Sequence, residues 1–368
     1  MSALHASSIG PLLIVGLHDP RWSSRLERML CALQPSGILL LPGCLRTPGQ
    51  TVELLHKIAQ ASNTPPFLAI TAEGGSVDPL KALLPPLPAP RVLARRGPVA
   101  VRRLGELVGA ALELLGFNLN FAPRLDLSDP EVKPALDAQT FGGNPNHVAR
   151  CGRAFIEGLR RHKILACGKH FPGRGTPEHD ENGVPVVGKS MVELWREDLL
   201  PFREPLPHLP LLKLSNVSYK AYDFDVPQPA ARSAKVVHDL LRIKLRYRGL
   251  AVADLLELLE EASQHMGPKG IFGMSYEAFA DSIKAGCDLQ VVKWGERSAD
   301  AVLSKIERAI ESGTLGQERV AEALRRIRTT KRGLKRPSGK LSARRFEALA
   351  REVEEFNQLV EAGGGIDA

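Results

Sequence analysis

Charged and polar side chains that end apolar runs are the first places to look for chemistry, because a buried charge is costly unless it has a partner or a task. Asp254 closes the run GLAVAD at 249–254. A carboxylate there suits a nucleophile or a base; it equally suits a cap on a following helix, and both readings stay open at this point. Lys169 and His170 close ILACGKH at 164–170, and Phe171-Pro172-Gly173 then fixes the exit of the chain. Adjacent residues of a strand point to opposite faces, so only one of the pair is expected to face the reaction space unless the strand kinks. Past two glycines come Glu178, His179, Asp180 and Glu181. An imidazole beside carboxylates suits proton transfer near neutral pH, and it also suits a solvated surface pair. Two further run ends are polar, Thr71-Ala72-Glu73-Gly74-Gly75-Ser76 and Ser215-Asn216.

Something must bring these ends together. Apolar runs recur at 11–17, 37–43, 66–71, 118–123, 164–170, 210–216, 249–254 and 287–292, and helix-length amphipathic stretches such as 22–33, 101–116 and 146–162 lie between them. Strands apolar on both faces, alternating with helices, predict an α/β fold with a parallel sheet covered by helices. Eight such units favour a closed (β/α)8 TIM-type barrel, whose chemistry sits at the C-terminal ends of the strands. A dinucleotide-binding open sheet is disfavoured, since no GxGxxG turn follows the first run and no GxxxxGK[ST] sequence occurs. After the break RPSGK, Phe346, Leu349, Val353, Phe356 and Val360 recur at spacings of three and four. The expected organisation is a single-domain barrel over 1–336, then 337–368 as a basic linker, a C-terminal amphipathic helix and a frayed tail. That helix is expected to pack on the outside of the barrel, with a dimer contact as the alternative.

Composition narrows the classes further. The 368 residues are 43% hydrophobic and 24% charged, which excludes wholesale disorder, collagen and coiled coil. No run approaches the ~18–20 apolar residues of a membrane span. The first run has no preceding Lys or Arg, so a secretory signal is not expected and a cytoplasmic location is. The five cysteines show neither CxxC spacing nor a zinc pattern, so neither a disulfide framework nor a structural metal is expected. Net charge is +8, and the basic residues concentrate in LRRIRTTKRGLKRPSGK at 324–340. That run carries no interleaved aromatics and reads as a solvated helix face and linker rather than a nucleic-acid site.

Six segments together resemble glycoside hydrolase family 3, and within it the single-domain bacterial β-N-acetylhexosaminidases that trim cell-wall fragments in peptidoglycan recycling. They are GFNLNFAPRLDL (116–127), FGGNPNHVARCGRAFIEGL (141–159), GKHFPGRG (168–175), DLLPFREPL (198–206), GLAVADLLEL (249–258) and AGCDLQVV (285–292). The resemblance covers roughly 10–330 and implies a retaining mechanism in which Asp254 attacks the anomeric carbon. It implies that Lys169 and His170 hold sugar hydroxyls, and that Glu73, Asp126, Asn216 and Gln139 stand at substrate-contacting positions. His179 with Asp180 stands where the family carries its acid/base. The resemblance also implies a carbohydrate substrate, a monomer, and no metal or organic cofactor; a weak dimer stays open through the C-terminal helix, and the apolar runs and the basic run lead to no membrane or nucleic-acid partner being expected.

This chain departs from the family pattern at the acid/base loop. It reads TPEHDENGVP where relatives carry Asp-Ser-His in a stretch about one residue longer, so His179 and the nearby Glu178, Asp180 and Glu181 are the available proton carriers. Thr71 replaces the Asp that opens the family's Asp-x-Glu-Gly-Gly-Arg motif, and Ser76 replaces its Arg. Gln139 stands for an Arg clamp, Asn216 for a His, and Leu255 for the Asp after the nucleophile. Two readings follow: an active glycosidase of altered specificity, or a catalytically impaired relative that binds a sugar or a protein partner.

Overall fold

The computed structural model describes residues 6–128, 137–175, 177–179, 185–254, 277–293 and 298–363. Its strands, in chain order, are β1 (Leu13–Leu17), β2 (Gly37–Leu40), β3 (Phe67–Ile70), β4 (Leu119–Asn120), β5 (Leu165–Phe171), β6 (Glu178–His179), β7 (Pro185–Val187), β8 (Leu211–Leu214), β9 (Ser218–Tyr219), β10 (Leu250–Ala253) and β11 (Leu289–Lys293). Eight of them close a parallel barrel in the order β1-β2-β3-β4-β5-β8-β10-β11, and β11 pairs back onto β1. Each barrel strand lies within one of the apolar runs or overruns its end by one residue, as β5 and β11 do, so the TIM-type fold expected from the sequence is the fold observed. The remaining three form a small sheet, β6-β7-β9, on the segments that follow β5 and β8.

Every residue of β1, β2, β3, β8 and β10 is buried, one face inside the barrel and the other under helices. Local signals start the covering helices. Ser23, Thr47 and Asn144 accept the backbone N–H of Leu26, Gln50 and His147, capping helices Ser24–Leu33, Pro48–Ala61 and Pro145–Arg161. Helices Pro98–Leu115 and Pro145–Arg161 approach so closely that a Cβ on Gly158 would lie 2.5 Å from the Arg102 carbonyl oxygen, which explains glycine there.

The sequence NLN is what makes β4 workable at only two residues. Asn118 accepts from Leu68 N at 2.8 Å and donates to Pro66 O at 2.9 Å, while Asn120 accepts from Ala72 N at 2.9 Å and donates to Ala72 O at 2.7 Å. Side-chain amides thus extend the ladder to β3 beyond its backbone hydrogen bonds.

Helix Ala343–Glu361 buries Phe346, Leu349, Val353, Phe356 and Val360, the residues its spacing singled out. It lies against helix Pro98–Leu115, with Arg103 paired to Glu352 and the Arg96 guanidinium on Val360 O. The tail at 364–368 lies outside the described residues. No helix among the described residues is long and apolar enough to cross a membrane.

At the N-terminal end of β11, Asp288 is fully buried. Its carboxylate accepts from Arg242 Nη2 at 2.5 Å, Arg319 Nη2 at 2.7 Å, Arg326 Nη1 at 3.2 Å and Ala251 N at 3.0 Å. One anion therefore ties the helices at Lys235–Lys244 and Gln317–Lys331 to β10 and β11. Removing it strands the buried Arg242 charge, so Asp288→Ala is expected to lower unfolding free energy by about 3–5 kcal/mol. Chemical denaturation beside wild type measures this.

Candidate active site

The polar run ends converge on the C-terminal side of the barrel, and each position is set by a neighbouring strand. Lys169, on β5, donates from Nζ to Glu73 Oε2 at 2.8 Å and to Phe121 O at 2.8 Å. Glu73, just past β3, also accepts Arg124 N at 2.7 Å through Oε1. Its loop is pinned by Asp78, which accepts from Gly74 N and, at 2.7 Å, from Leu80 N. Burial pushes the Asp78 carboxyl up to about 6.

His170 bonds through Nδ1 to Asp126 Oδ2 at 2.8 Å, and its backbone N–H reaches Asp126 Oδ1 at 3.1 Å. Arg174 N donates to Oδ1 at 3.0 Å and Arg124 Nε to Oδ2 at 2.9 Å. Burial works to raise the pKa of Asp126. The charge and hydrogen bond of His170, with the charges of Arg124 and Arg174, outweigh it and hold the carboxyl well below the usual carboxylate range.

Simple alternation would have sent Lys169 and His170 to opposite faces. The pairing of β5 with β8 shifts register between Lys169 and Phe171, and the Lys169–His170 peptide is cis. Both side chains reach carboxylates that Arg124 links, since Arg124 touches Glu73 and Asp126. Gly173, at φ +111°, then turns the chain against Asp198, and Tyr219 Oη donates to Gly173 O at 2.6 Å.

Asp254 directly follows β10 and is 9% exposed. Its Oδ2 lies 2.8 Å from Lys213 Nζ, and its backbone O accepts Asn216 Nδ2 at 3.0 Å. Lys213 is the residue that sequence reasoning passed over. Its signal was present as a lone lysine inside the apolar strand β8, where it stands beside Lys169 in the ladder. Asn216 Oδ1 is buried without a hydrogen-bond partner among the described residues. Gln139 is also buried, and its Nε2 donates to Gly74 O at 3.2 Å. Thr71 and Ser76 are exposed.

A barrel of eight parallel strands, with Asp254 at the end of β10 and Lys169-His170 at the end of β5, invites comparison with known glycosidases. The family profile described as "Glycosyl hydrolase family 3 N terminal domain" matches residues 7–330. The chain belongs to glycosyl hydrolase family 3. Membership makes it a glycosidase, acting on O-glycosyl bonds. The β-hexosaminidase of Pseudomonas aeruginosa strain PAO1 is 30% identical over 275 residues, spanning 74% of this chain and 79% of that protein. The β-hexosaminidase of Alkalilimnicola ehrlichii is 31% identical over 304 residues, 80% and 84% of the two chains. A family 3 β-N-acetylglucosaminidase from Paenibacillus superposes with a TM-score of 0.80 at 26% identity, covering 95% of this chain and 68% of that one. The β-N-acetylglucosaminidase of Thermotoga maritima gives 0.77 at 26% identity, with 90% and 68% covered. The family 3 match ends before helix Ala343–Glu361.

On this family 3 barrel, β6 carries Glu178 and His179 and pairs antiparallel with β7. Glu178 is exposed. Asp180, Glu181 and Leu255 lie outside the described residues, as does the side chain of His179. Four cysteines are buried, and burial pushes the Cys167 thiol up to about 12, so the thiol nearest the two lysines stays protonated. Among the described residues no group of three His, Cys, Asp or Glu is placed to hold a metal.

The Asp126 cluster fixes an acid dependence. Because its folded pKa is depressed, its stabilisation is complete above the ordinary carboxylate value of about 4 and is lost as pH falls below that. Between pH 5 and pH 2 the denaturation midpoint of wild type is expected to fall more steeply than that of Asp126→Asn, measured by urea titration at each pH.

Proposed function

We propose that the chain hydrolyses β-linked N-acetylhexosaminides, of the kind released from cell-wall glycans, with retention of configuration. The observation that carries this reading is Asp254 at the C-terminal end of β10, in a family 3 barrel, with its carboxylate fixed by Lys213 and its backbone by Asn216. Its relatives named β-hexosaminidase and β-N-acetylglucosaminidase support the substrate class.

In the proposed reaction, Asp254 attacks the anomeric carbon and forms a glycosyl ester as the glycosidic C–O bond breaks. A group on the loop 174–184 protonates the departing oxygen; His179 with Asp180, or a nearby carboxyl at Glu178 or Glu181, is assigned that task. The same group then takes a proton from water, which attacks the anomeric carbon and releases Asp254. Lys213 acts as a positioning residue in this scheme, since an ammonium 2.8 Å from the attacking carboxylate restricts its orientation. Lys169 and His170 are oriented by Glu73 and Asp126 to donate to sugar hydroxyls.

The Lys213–Asp254 ion pair also favours a second reading. A carboxylate already neutralised by a buried ammonium is a weaker nucleophile, and with Thr71, Ser76 and Gln139 in place of charged contacts the chain would bind a sugar with little turnover. Hydrolysis of 4-methylumbelliferyl β-N-acetylglucosaminide by wild type beside Asp254→Asn separates the two. Turnover that falls by more than about 10³-fold in the variant supports the enzyme. Equal rates in the two proteins overturn hydrolysis of N-acetylhexosaminides, leaving another sugar as substrate or a binding role.

A further inference from the structure

The barrel end opposite the candidate active site holds a cavity of about 580 Å³. That is within the range of small-molecule sites, about 300–1,000 Å³. It opens between the segments that lead into β1, β2 and β3 and the last turns of helix Gln317–Lys331. In barrels of this type the N-terminal end serves stability, so neither a cavity nor excess charge is required there.

Charge is what sets this cavity apart. Arg328, Lys331 and Arg332 line it, and no acidic residue does. Earlier on the same helix Arg319 and Arg326 share Asp288, and farther along the chain Arg336 is committed to the carbonyls of Ser62 and Asn63, at 2.8 and 3.2 Å. Among the described residues no carboxylate comes within ion-pair distance of the three lining cations. Lys331 donates to Thr64 Oγ1 at 3.1 Å and stands 5.7 Å from the centre of the Phe67 ring. Burial, reinforced by the charge of Arg336, lowers its pKa to about 8. Ile327, buried on the same helix, supplies an apolar wall.

We infer that this cavity binds a small organic anion, a phosphate ester or a carboxylate, with its apolar body against Ile327 and its charge on Lys331, Arg328 and Arg332. The basic run at 324–340 is then divided in role. Arg326 and Arg336 hold the fold, and Arg328, Lys331 and Arg332 between them face a ligand. This site is independent of the sugar chemistry proposed at the other end.

Pyridoxal 5′-phosphate tests it on the full chain. The Lys331 amine adds to the aldehyde and loses water to give an imine, which borohydride reduces to a stable secondary amine that peptide mapping locates. An amine whose pKa is lowered from about 10.4, the ordinary lysine value, to about 8 offers roughly 250-fold more neutral form near pH 7, so Lys331 is expected to label ahead of the exposed Lys335 and Lys340. Phenyl phosphate and benzoate are the competitors. Protection by phenyl phosphate alone assigns a phosphate ester, by benzoate alone a carboxylate, and by both an organic anion of either kind. Replacing Arg328→Gln and Arg332→Gln together, at exposed positions, is expected to weaken that protection at least about ten-fold. Labelling spread evenly over surface lysines, or labelling of Lys331 that neither anion slows, overturns the inference; both are read on the wild-type protein, whatever the variant's stability. Hydrolysis of the fluorogenic glucosaminide, measured alongside, is expected to be the same in that variant as in wild type.

Discussion

Two lysines stand side by side on β5 and β8, both nearly buried, and the C-terminal end of the barrel is organised around neutralising them. Lys169 takes Glu73 from beyond β3, and Lys213 takes Asp254 from β10. Dehydrating an ammonium costs several kcal/mol, and attraction to a carboxylate repays it only in tight geometry. That demand reaches outward. Glu73 must be held by Arg124 N and by a loop fixed through Asp78, and Asp254 must be held by Asn216. His170 with Asp126 adds a third pair, joined to the first through Arg124.

Such a neutralised network has a chemical meaning. A site that binds neutral sugars gains from oriented donors and acceptors rather than from net charge, and ion pairs supply orientation without a strong field. The uncharged side chains at Thr71, Ser76 and Gln139 fit the same pattern. Gln139 now closes onto Gly74 O inside the protein, and Thr71 and Ser76 lie at the surface. Lys213 is placed against the carboxylate proposed to react. Family 3 membership accounts for the barrel, and these few side chains decide what the barrel does.

The two ends of the barrel treat charge differently. At the N-terminal end Asp288 gathers three arginines from two helices and spends them on holding β10 and β11 together. Next to that cluster, the end of helix Gln317–Lys331 presents cations with no acid opposite them among the described residues. A basic sequence run therefore contains both structural arginines and cations turned toward a cavity, a division that composition alone does not reveal.

The barrel was legible in the sequence because its strands are buried on both faces, which writes them as short continuous apolar runs between amphipathic helices. The C-terminal helix was legible for a related reason, as Phe346, Leu349, Val353, Phe356 and Val360 mark one buried stripe. Residue type and spacing also picked out Asp254, Lys169 and His170. Partners were not legible, since an ion pair between Lys213 and Asp254 joins residues on different strands and leaves no local pattern. Nor did alternation foretell that Lys169 and His170 would both find carboxylates, because the slip of β5 against β8 is set by the pairing of two distant segments. Sequence by itself determined the fold and the candidate groups, through local periodicity and the cost of burying charge. Only the tertiary structure decided which charges meet, because those contacts depend on how the closed barrel sets its strands side by side.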